Sequence, residues 1–372
     1  MPFLRAVQGE HIAANAPGCF RRTPCRQLLI RAGVCFTLAL FCNSVLRCWH
    51  RVEEPEFSLP NSVNATSQLS SSKVKSVQPM SLVNVADWEA PRHGWKVISA
   101  CQQHLRVLYF VYTAPQHQER RRFLRETIGD SRVASFVNSS LIFFVGKTAD
   151  NELQHRLEAE AEREGDLVQL DFVDVYRNLT LKFIGATQWL SKHGCLNSSA
   201  RFVVKLDDDI IINVVRLDGY IRDLSTAPLA VSRNIYGARL RNLRPDRDNT
   251  SKWFVSTEEY PGDSYPVCCS GTAFLMRAPV LEALINASAH VSFFPLEDVY
   301  ATGFLRQAAN VSLVDIWYYC DLFPSKNTWI VRQRTLFLHL GWQPILFNRS
   351  QQLWQSVMNR VVTAWRIPAL GI

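Results

Sequence analysis

Apolar runs alternate with segments of helical periodicity along residues 101–372. Four apolar runs predict strands: Val107–Tyr112, Leu141–Val145, Leu167–Phe172 and Phe202–Leu206. A basic segment around Arg120–Arg125 begins a helix, and a charged surface helix is predicted over Asn151–Glu164. Apolar residues at helical spacing predict an amphipathic helix over 179–192. The second half is less regular, with a strand at Ser270–Met276 and a helix at 297–308.

Strands that alternate with helices predict the fold class. This order is typical of an α/β domain with a mostly parallel, Rossmann-like sheet that helices cover on both faces. In such open sheets the ligand binds outside the carboxyl ends of the strands. Polar residues that directly follow a predicted strand are therefore the first candidates for a functional site.

Residues 1–100 lack this alternation. Leu28–Leu46 is apolar over 19 residues, close to the roughly 20 that a helix needs to span a bilayer. It predicts a signal-anchor transmembrane helix between a tail at 1–27 and a polar, Ser-rich, flexible stem at 47–100, with the folded domain at 101–372. A cleaved signal peptide would have an unusually long charged n-region. A buried core helix fits poorly beside the polar stem.

The distribution of charge gives the orientation of this segment. The formal net charge is +8, and seven arginines lie within the first 51 residues. Five of them precede the uninterrupted apolar stretch, which predicts a cytosolic N-terminus and a lumenal body. Much of the positive charge is thus a terminal feature, and the chain carries no RNA- or DNA-binding motif. Nucleic acid is not an expected partner.

Sequons and cysteines also suit a lumenal chain. There are eight N-x-[ST] sequons, at Asn64, Asn138, Asn178, Asn197, Asn249, Asn286, Asn310 and Asn348, where chance would give roughly two or three. Six of the ten cysteines lie beyond the predicted anchor: Cys48, Cys101, Cys195, Cys268, Cys269 and Cys320. They allow up to three disulfides, and sequence does not choose among the fifteen pairings. None of these cysteines has zinc-site spacing.

An acidic run follows the fourth predicted strand. Asp207, Asp208 and Asp209 come directly after Phe202–Leu206, and desolvating an unpaired carboxylate there is very costly. A hard divalent cation offsets this cost, because Mg²⁺ and Mn²⁺ prefer oxygen ligands. In an extended segment Asp207 and Asp209 point the same way and face one ion. The alternative is an Asp-rich turn or helix cap.

A second acidic pair and a late histidine are further candidates. Glu297 and Asp298 stand at a predicted helix start, where carboxylates are favoured in any case. As a functional pair, one of them would be a general base within reach of an acceptor hydroxyl. His339 is a lone histidine in an apolar run, which is more often a core residue than a ligand.

Six blocks in this order resemble the β-1,3-galactosyltransferase and β-1,3-N-acetylglucosaminyltransferase family of Golgi enzymes. The resemblance covers roughly residues 105–342. The blocks are Glu119–Gly129, Asp174–Lys182, Lys205–Asn213, Ser251–Trp253, Tyr265–Phe274 and Leu296–Tyr300. It implies a GT-A-type fold and inverting transfer of a sugar from a UDP-sugar to a glycan.

The resemblance also implies roles for the acidic residues. It implies that Asp207 and Asp209 bind Mn²⁺ and the UDP diphosphate, and it suggests His339 as a late metal ligand. Asp298 is implied as the catalytic base that deprotonates the acceptor's 3-hydroxyl, with Glu297 shaping the acceptor site. Configuration would then invert from an α-linked donor to a β-linked product.

The remaining candidates are expected to bind substrate. Arg121 and Arg125 match the family's basic block near the donor site, where cationic side chains suit phosphates. Lys205 and Asp208 belong to the block around the acidic run. Trp253 is expected to stack on a sugar or to form the cleft, and a core aromatic is the alternative.

The chain departs from the family pattern at three places. Ile128 stands where the family usually has Trp, which predicts a packing change, and Cys268 stands where an aromatic residue is more usual. The family's usual cysteine shortly before the late histidine is missing, and Cys320 lies earlier. The missing cysteine is a departure from the family pattern close to His339, the suggested metal ligand.

The branch of the family bears on donor and partners. The Ser251–Trp253 and Tyr265–Phe274 blocks resemble the galactosyl branch, which favours UDP-galactose over UDP-GlcNAc. Expected partners are a glycan on a glycoprotein or glycolipid, the bilayer, and oligomers with itself or other glycosyltransferases. The expected location is the Golgi membrane, single-pass type II, with a lumenal catalytic domain at 101–372.

The alternative from another class is a catalytically silent lumenal sugar-binding or chaperone-like protein. For such a protein we would expect the loss of an acidic residue in the run or of Asp298.

Overall fold

The computed structural model describes Val97, Cys101 and residues 104–198, 201–226, 233–341 and 343–365, which all belong to one compact unit. The predicted tail at 1–27, the anchor at 28–46 and nearly all of the stem at 47–100 lie outside these residues. Among the described helices, none has both the length and the hydropathy that a bilayer span needs.

A seven-stranded sheet lies at the centre of this unit, in the order β3-β2-β1-β4-β7-β6-β8. Its strands are β1 (Val107–Tyr112), β2 (Ser139–Lys147), β3 (Leu167–Val173), β4 (Phe202–Asp207), β6 (Asn234–Leu240), β7 (Cys268–Arg277) and β8 (Ser312–Asp315). Strand β7 runs antiparallel to both of its neighbours, β4 and β6, and the other neighbouring pairs are parallel. The predicted α/β class with a mostly parallel sheet is confirmed.

A second sheet of three short strands stands beside the end of β4. Its order is β5-β10-β9, from β5 (Ile210–Ile212), β9 (Cys320–Asp321) and β10 (Phe337–His339). Strand β10 pairs antiparallel with β5, so that His339 lies opposite Ile210. This pairing brings a late part of the chain to the acidic run.

Eight helices are described around the sheets. They are α1 (Gln118–Glu126), α2 (Ser131–Val137), α3 (Asn151–Glu164), α4 (Leu179–Lys192), α5 (Val214–Ser225), α6 (Ala278–Ser288), α7 and α8 (Ser350–Trp365). Helix α7 is α-helical at Glu297–Val299, π-helical at Tyr300–Leu305 and α-helical again at Arg306–Ala308. Three 3₁₀ turns lie at Tyr176–Asn178, Trp317–Tyr319 and Pro344–Arg349. The predicted bounds of α3 and α4 are confirmed at both ends.

Strand β1 shows why the core has two layers. Its six side chains are all buried, and they alternate between two hydrophobic clusters because successive residues of a strand point to opposite faces. The odd-numbered side chains join α1, α2, α3, α5 and α8, and the even-numbered ones join α4, α6 and α7. The sheet is therefore covered by helices on both faces, as predicted.

The described cysteines form one disulfide, between Cys101 and Cys195. It ties the segment before β1 to the segment after α4. Cys268 and Cys269 are free and buried, and Cys320 is free and half-buried. Cys48 lies outside the described residues.

Candidate active site

Both acidic pairs come together around one buried lysine. Strand β4 ends at Asp207, α7 begins at Glu297, and Lys205 lies between them. Its Nζ donates to Asp207 Oδ1 at 2.9 Å and to the carbonyl of Gly271 on β7, and it lies 3.7 Å from Glu297 Oε2. The antiparallel pairing of β4 with β7 produces this meeting of residues that are 90 positions apart in sequence (297 minus 207).

Lys205 keeps its charge in spite of burial. Desolvation alone would lower its pKa, but Asp207 and, when it is ionised, Glu297 outweigh that effect and raise the pKa above its usual range. The ammonium also lies 4.1 Å from the centre of the Tyr112 ring, where a cation is attracted to the ring face. Lys205 therefore provides a fixed positive charge to the acidic residues on either side.

The two acids at the start of α7 have different environments. Glu297 is buried, and burial raises its pKa to about 8, although Lys205 opposes the shift. Asp298 is half-buried, and burial raises its pKa to about 6, while the backbone N–H of Val299 opposes the shift. At pH 7 Glu297 is mostly protonated and Asp298 is mostly ionised. A pair of carboxyls whose pKa values are pushed apart in this way is typical of acid–base chemistry.

Asp208, in the middle of the acidic run, points to the protein rather than to a cleft. It is buried and accepts from Thr113 Oγ1 at 2.7 Å and from Arg120 Nη1 at 3.0 Å, and His117 Nδ1 lies 2.8 Å away. Burial alone would raise its pKa, but His117, Arg120 and Thr113 together hold it below the usual range. Asp208 thus fastens the loop after β1 to the acidic run.

Asp209 meets the late histidine. Its Oδ1 lies 3.6 Å from His339 Nε2, and its backbone carbonyl accepts from the N–H of Leu340 at 2.8 Å. His339 Nδ1 lies 3.2 Å from the carbonyl of Leu322, which fixes the ring. A Cβ on Gly341 would lie 2.3 Å from Asp209 Oδ2 and 3.0 Å from His339 Nε2. Glycine leaves the space beside these two groups open.

The edge around Asp209 and His339 has oxygen and nitrogen donors that suit a cation. No three His, Cys, Asp or Glu side chains stand in a metal-binding cluster anywhere in the described part of the chain. Among the described residues, Asp209 Oδ1 is nevertheless buried without a hydrogen-bond partner, and Asp207 lies within electrostatic reach of both Asp209 and His339. Carboxylate oxygens and an imidazole suit Mn²⁺. The residue types and the unpartnered oxygen fit the ion.

The two arginines expected at the donor site are engaged inside the fold. Arg121 is buried and donates to both carboxylate oxygens of Glu160, at 2.9 and 2.6 Å. Arg125 donates to both oxygens of Asp166, at 2.8 Å each, and to Glu160 at 2.7 Å. Arg121 is joined to the acidic run through Thr113, to which its Nη1 donates at 3.2 Å and which donates to Asp208.

Arg120 was not selected from the sequence, yet it contacts the acidic run directly. Its Nη1 donates to Asp208 and, at 3.3 Å, to Asp209, and its guanidinium lies 4.4 Å from the centre of the Phe347 ring. The sequence holds a usable pattern: Arg121 and Leu124 have helical spacing and form the buried face of α1, and the buried Ile128 follows directly after the helix. That face turns Arg120 toward the end of β4.

Trp253 lies in the segment between β6 and β7. It is half-buried, packs against the cluster on the α4 side of the sheet, and hydrogen-bonds through its side chain with Tyr176. Ile128 is buried in the opposite cluster, in a helix-to-helix connection after α1. Cys268, at the start of β7, is buried within electrostatic reach of Asp298.

Comparisons with known proteins identify the family of the chain. The family model described as galactosyltransferase matches residues 119–316, more than half of the chain. The chain is 33% identical over 226 residues to β-1,3-galactosyltransferase 5 of Homo sapiens, covering 60% of this chain and 70% of the relative. It is 33% identical over 208 residues to β-1,3-galactosyltransferase 1 of Mus musculus, covering 56% and 62%.

Among solved structures, the chain is similar to S. aureus TarS 1-349. The sequence identity is 11%, the match covers 70% of this chain and 73% of that one, and the TM-score is 0.32, so this likeness carries no argument about the fold. The family match and the two relatives confirm the resemblance of the six sequence blocks. The chain belongs to the galactosyltransferase family, whose members include the β-1,3-galactosyltransferases.

Proposed function

We propose that this protein is an inverting glycosyltransferase that moves galactose from UDP-galactose to the 3-hydroxyl of an acceptor glycan ending in GlcNAc or GalNAc, forming a β-1,3 linkage. One observation carries the proposal: the half-buried carboxyl of Asp298, whose pKa is about 6, stands beside the Lys205-centred acidic cluster in a chain of this family. The names of the relatives support galactose over GlcNAc as the sugar.

Asp298 acts as the general base. It is ionised at neutral pH and only half-buried, so it accepts the proton of the acceptor's 3-hydroxyl while that oxygen attacks the anomeric carbon from the face opposite UDP. A single displacement inverts the α-linked donor to a β-linked product, and one base with no nucleophilic carboxylate suffices. Glu297, protonated beside Lys205, does not compete for this proton and shapes the acceptor site.

Asp207, Asp209 and His339 would hold Mn²⁺ at the end of β4. When bound, the ion neutralises the negative charge that develops on the departing diphosphate. Lys205 and Asp208, which the sequence suggested as substrate ligands, are buried and paired with protein groups. We assign them positioning roles: Lys205 holds Asp207 and Glu297, and Asp208 holds Arg120.

The proposal extends to architecture and location. An acidic run at the carboxyl end of a central parallel strand supports a GT-A-type domain. The apolar stretch at 28–46 and the sequons support a single-pass type II protein of the Golgi membrane with its catalytic domain in the lumen. The acceptor is then a glycoprotein or glycolipid glycan in that compartment.

The test measures UDP release by the full-length chain produced in a eukaryotic host. UDP-galactose and UDP-GlcNAc are offered with β-GlcNAc and β-GalNAc acceptors, with Mn²⁺ or with EDTA. We expect Mn²⁺-dependent turnover with UDP-galactose and a loss of about 10²–10⁴-fold in Asp298→Asn, the usual contribution of a general base. Asp171→Asn is the matched control, because Asp171 is an exposed residue of β3 that pairs only with Lys147 among the described residues.

Three results would change the proposal. Turnover of Asp298→Asn equal to that of the unmodified chain rejects Asp298 as the base. Consumption of UDP-GlcNAc alone rejects the galactosyl donor. A folded chain that is silent with every donor and acceptor makes the sugar-binding or chaperone function the better one.

A further inference from the structure

A group of exposed apolar side chains lies at the end of β3, on the same side of the sheet as the acidic cluster. Val173, Val175 and Tyr176 have 54%, 49% and 41% of their surface exposed. Contiguous exposed apolar patches often mark binding sites. Tyr176 contacts Lys252 and Trp253 of the segment before β7. These three residues, with the neighbouring Val173 and Val175, are named here the aromatic ledge.

Contacts between side chains hold the aromatic ledge in place. The side chains of Tyr176 and Trp253 are hydrogen-bonded, and Lys252 Nζ lies 5.1 and 4.7 Å from the centres of their rings. Arg177 clamps the two segments together, with Nη1 donating to the carbonyl of Phe254 at 2.8 Å and Nη2 to Glu259. Two segments about 77 residues apart in sequence (253 minus 176) are thus held in a fixed arrangement before any ligand arrives.

The same segment is tied to the residues that carry the base. Thr180, four residues after Tyr176, donates through Oγ1 to the carbonyl of Phe294 at 2.7 Å. Phe294 in turn stands four residues before Asp298. The ledge is therefore tied to the segment that carries the proposed base, Asp298.

We propose that the aromatic ledge is the acceptor subsite, where the apolar face of the acceptor pyranose packs on Tyr176, Val175 and Trp253. This inference rests on the proposed function. Lys252 covers one face of the Tyr176 ring, and the 41% exposure that remains leaves ring surface for a sugar. A pyranose held there presents its ring hydroxyls toward Asp298, the arrangement that makes proton removal effectively intramolecular.

The first experiment compares steady-state constants of the full-length chain. We expect Tyr176→Ala to raise the acceptor KM about tenfold, in line with loss of a stacked aromatic, and to leave the UDP-galactose KM within about twofold. Tyr176→Phe keeps the ring and restores the acceptor KM. Val175→Asn, at a second exposed position of the ledge, raises the acceptor KM without removing an aromatic contact. Tyr318→Ala is the matched control, an exposed tyrosine of the Trp317–Tyr319 turn.

A second experiment tests the ledge without turnover. Titration calorimetry of the full-length Asp298→Asn variant with a β-GlcNAc-terminated disaccharide measures acceptor binding directly, and adding Tyr176→Ala to this variant should weaken binding about tenfold. An acceptor KM and a disaccharide affinity that Tyr176→Ala leaves within twofold would overturn the inference. Turnover by the unmodified chain in the same assay shows that such a failure concerns the ledge and not the proposed function.

Discussion

The basic helix α1 has two possible roles for Arg121: binding of the donor phosphates or stabilisation of the fold. The sequence suggests that Arg121 binds the donor phosphates, whereas the structure encloses it with Glu160. Its side chain makes five hydrogen bonds, two to Glu160 and three to Thr113, Ala114 and Pro115. We expect Arg121→Met to reduce the stability of the domain, because it leaves the carboxylate of Glu160 buried with only part of its compensation.

The size of the effect follows from burial. Arg121 is 1% exposed and the Glu160 side chain 2% exposed, and removing one partner of such a pair costs about 3–5 kcal/mol. For a domain of this size each kcal/mol lowers the midpoint of thermal unfolding by about 2–4 °C, which gives a decrease of roughly 6–20 °C. Because Glu160 still accepts a hydrogen bond from Arg125, we expect the decrease in the unfolding midpoint to lie toward the lower end of this range.

The assay is thermal unfolding of the full-length chain, followed by donor KM. Arg122→Met is the matched control on the same helix, since Arg122 is 64% exposed and its pairs with Glu119 and Glu126 lie at the surface, where such pairs are worth about 0–1 kcal/mol. Changing Glu160 to Met as well should recover part of the loss, because no buried charge is then left unpaired. An unchanged midpoint together with a raised UDP-galactose KM would refute this reasoning and restore the donor-binding role.

Three further predictions concern the site and the disulfide. Because burial raises the pKa of Asp298 to about 6, kcat/KM should be flat near pH 7 and fall about tenfold per unit below pH 6; a profile flat to pH 4.5 contradicts Asp298 as the base. Gly341→Ala places a Cβ 2.3 Å from Asp209 Oδ2, so Mn²⁺ affinity measured by electron paramagnetic resonance should fall at least about tenfold. The control is Gly219→Ala in α5, where a Cβ meets nothing within 4 Å. It should leave the Mn²⁺ affinity unchanged and add about 0.5–1 kcal/mol of stability. Cys195→Ser opens a disulfide whose ends lie 94 residues apart and should cost about 2–5 kcal/mol in thermal unfolding, while Cys320→Ser, at a free cysteine, should cost less than about 1 kcal/mol.

Local signals account for the elements that the sequence predicts well. Helix α3 has an Asp150 side chain that accepts from Leu153 N and a Gly165 with φ of 67° at its end, and both residues mark helix ends in sequence. Strands β1 and β4 are apolar enough to be recognised wherever they lie in the sheet. The three-residue strands β5 and β10 carry no such pattern, because their pairing joins residues more than 120 positions apart.

The acidic residues of the site follow from sequence, and their partners do not. Asp207 and Asp298 each stand beside a recognisable element end, a strand end and a helix start. Lys205 and Glu297 meet because β7 pairs antiparallel with β4. Their separation in the sequence does not predict this contact. The different positions of Arg120 and Arg121 have a related cause. Buried arginines are rare unless they are paired, and the partner that allows Arg121 to be buried, Glu160, lies 39 residues away on α3.

The charged residues around the site give Asp209 and Asp298 different functions. Arg120 and His117 compensate Asp208, Lys205 compensates Asp207, and Glu297 is mostly protonated at pH 7. Asp209 is compensated only partly, by Arg120 at 3.3 Å and His339 at 3.6 Å, and its Oδ1 has no hydrogen-bond partner. Lys205 is fixed between Asp207 and Glu297, and the half-buried Asp298 keeps an ionised carboxyl. The incompletely neutralised Asp209 is therefore suited to attract the proposed Mn²⁺, while Asp298 retains the basicity that the proposed transfer requires.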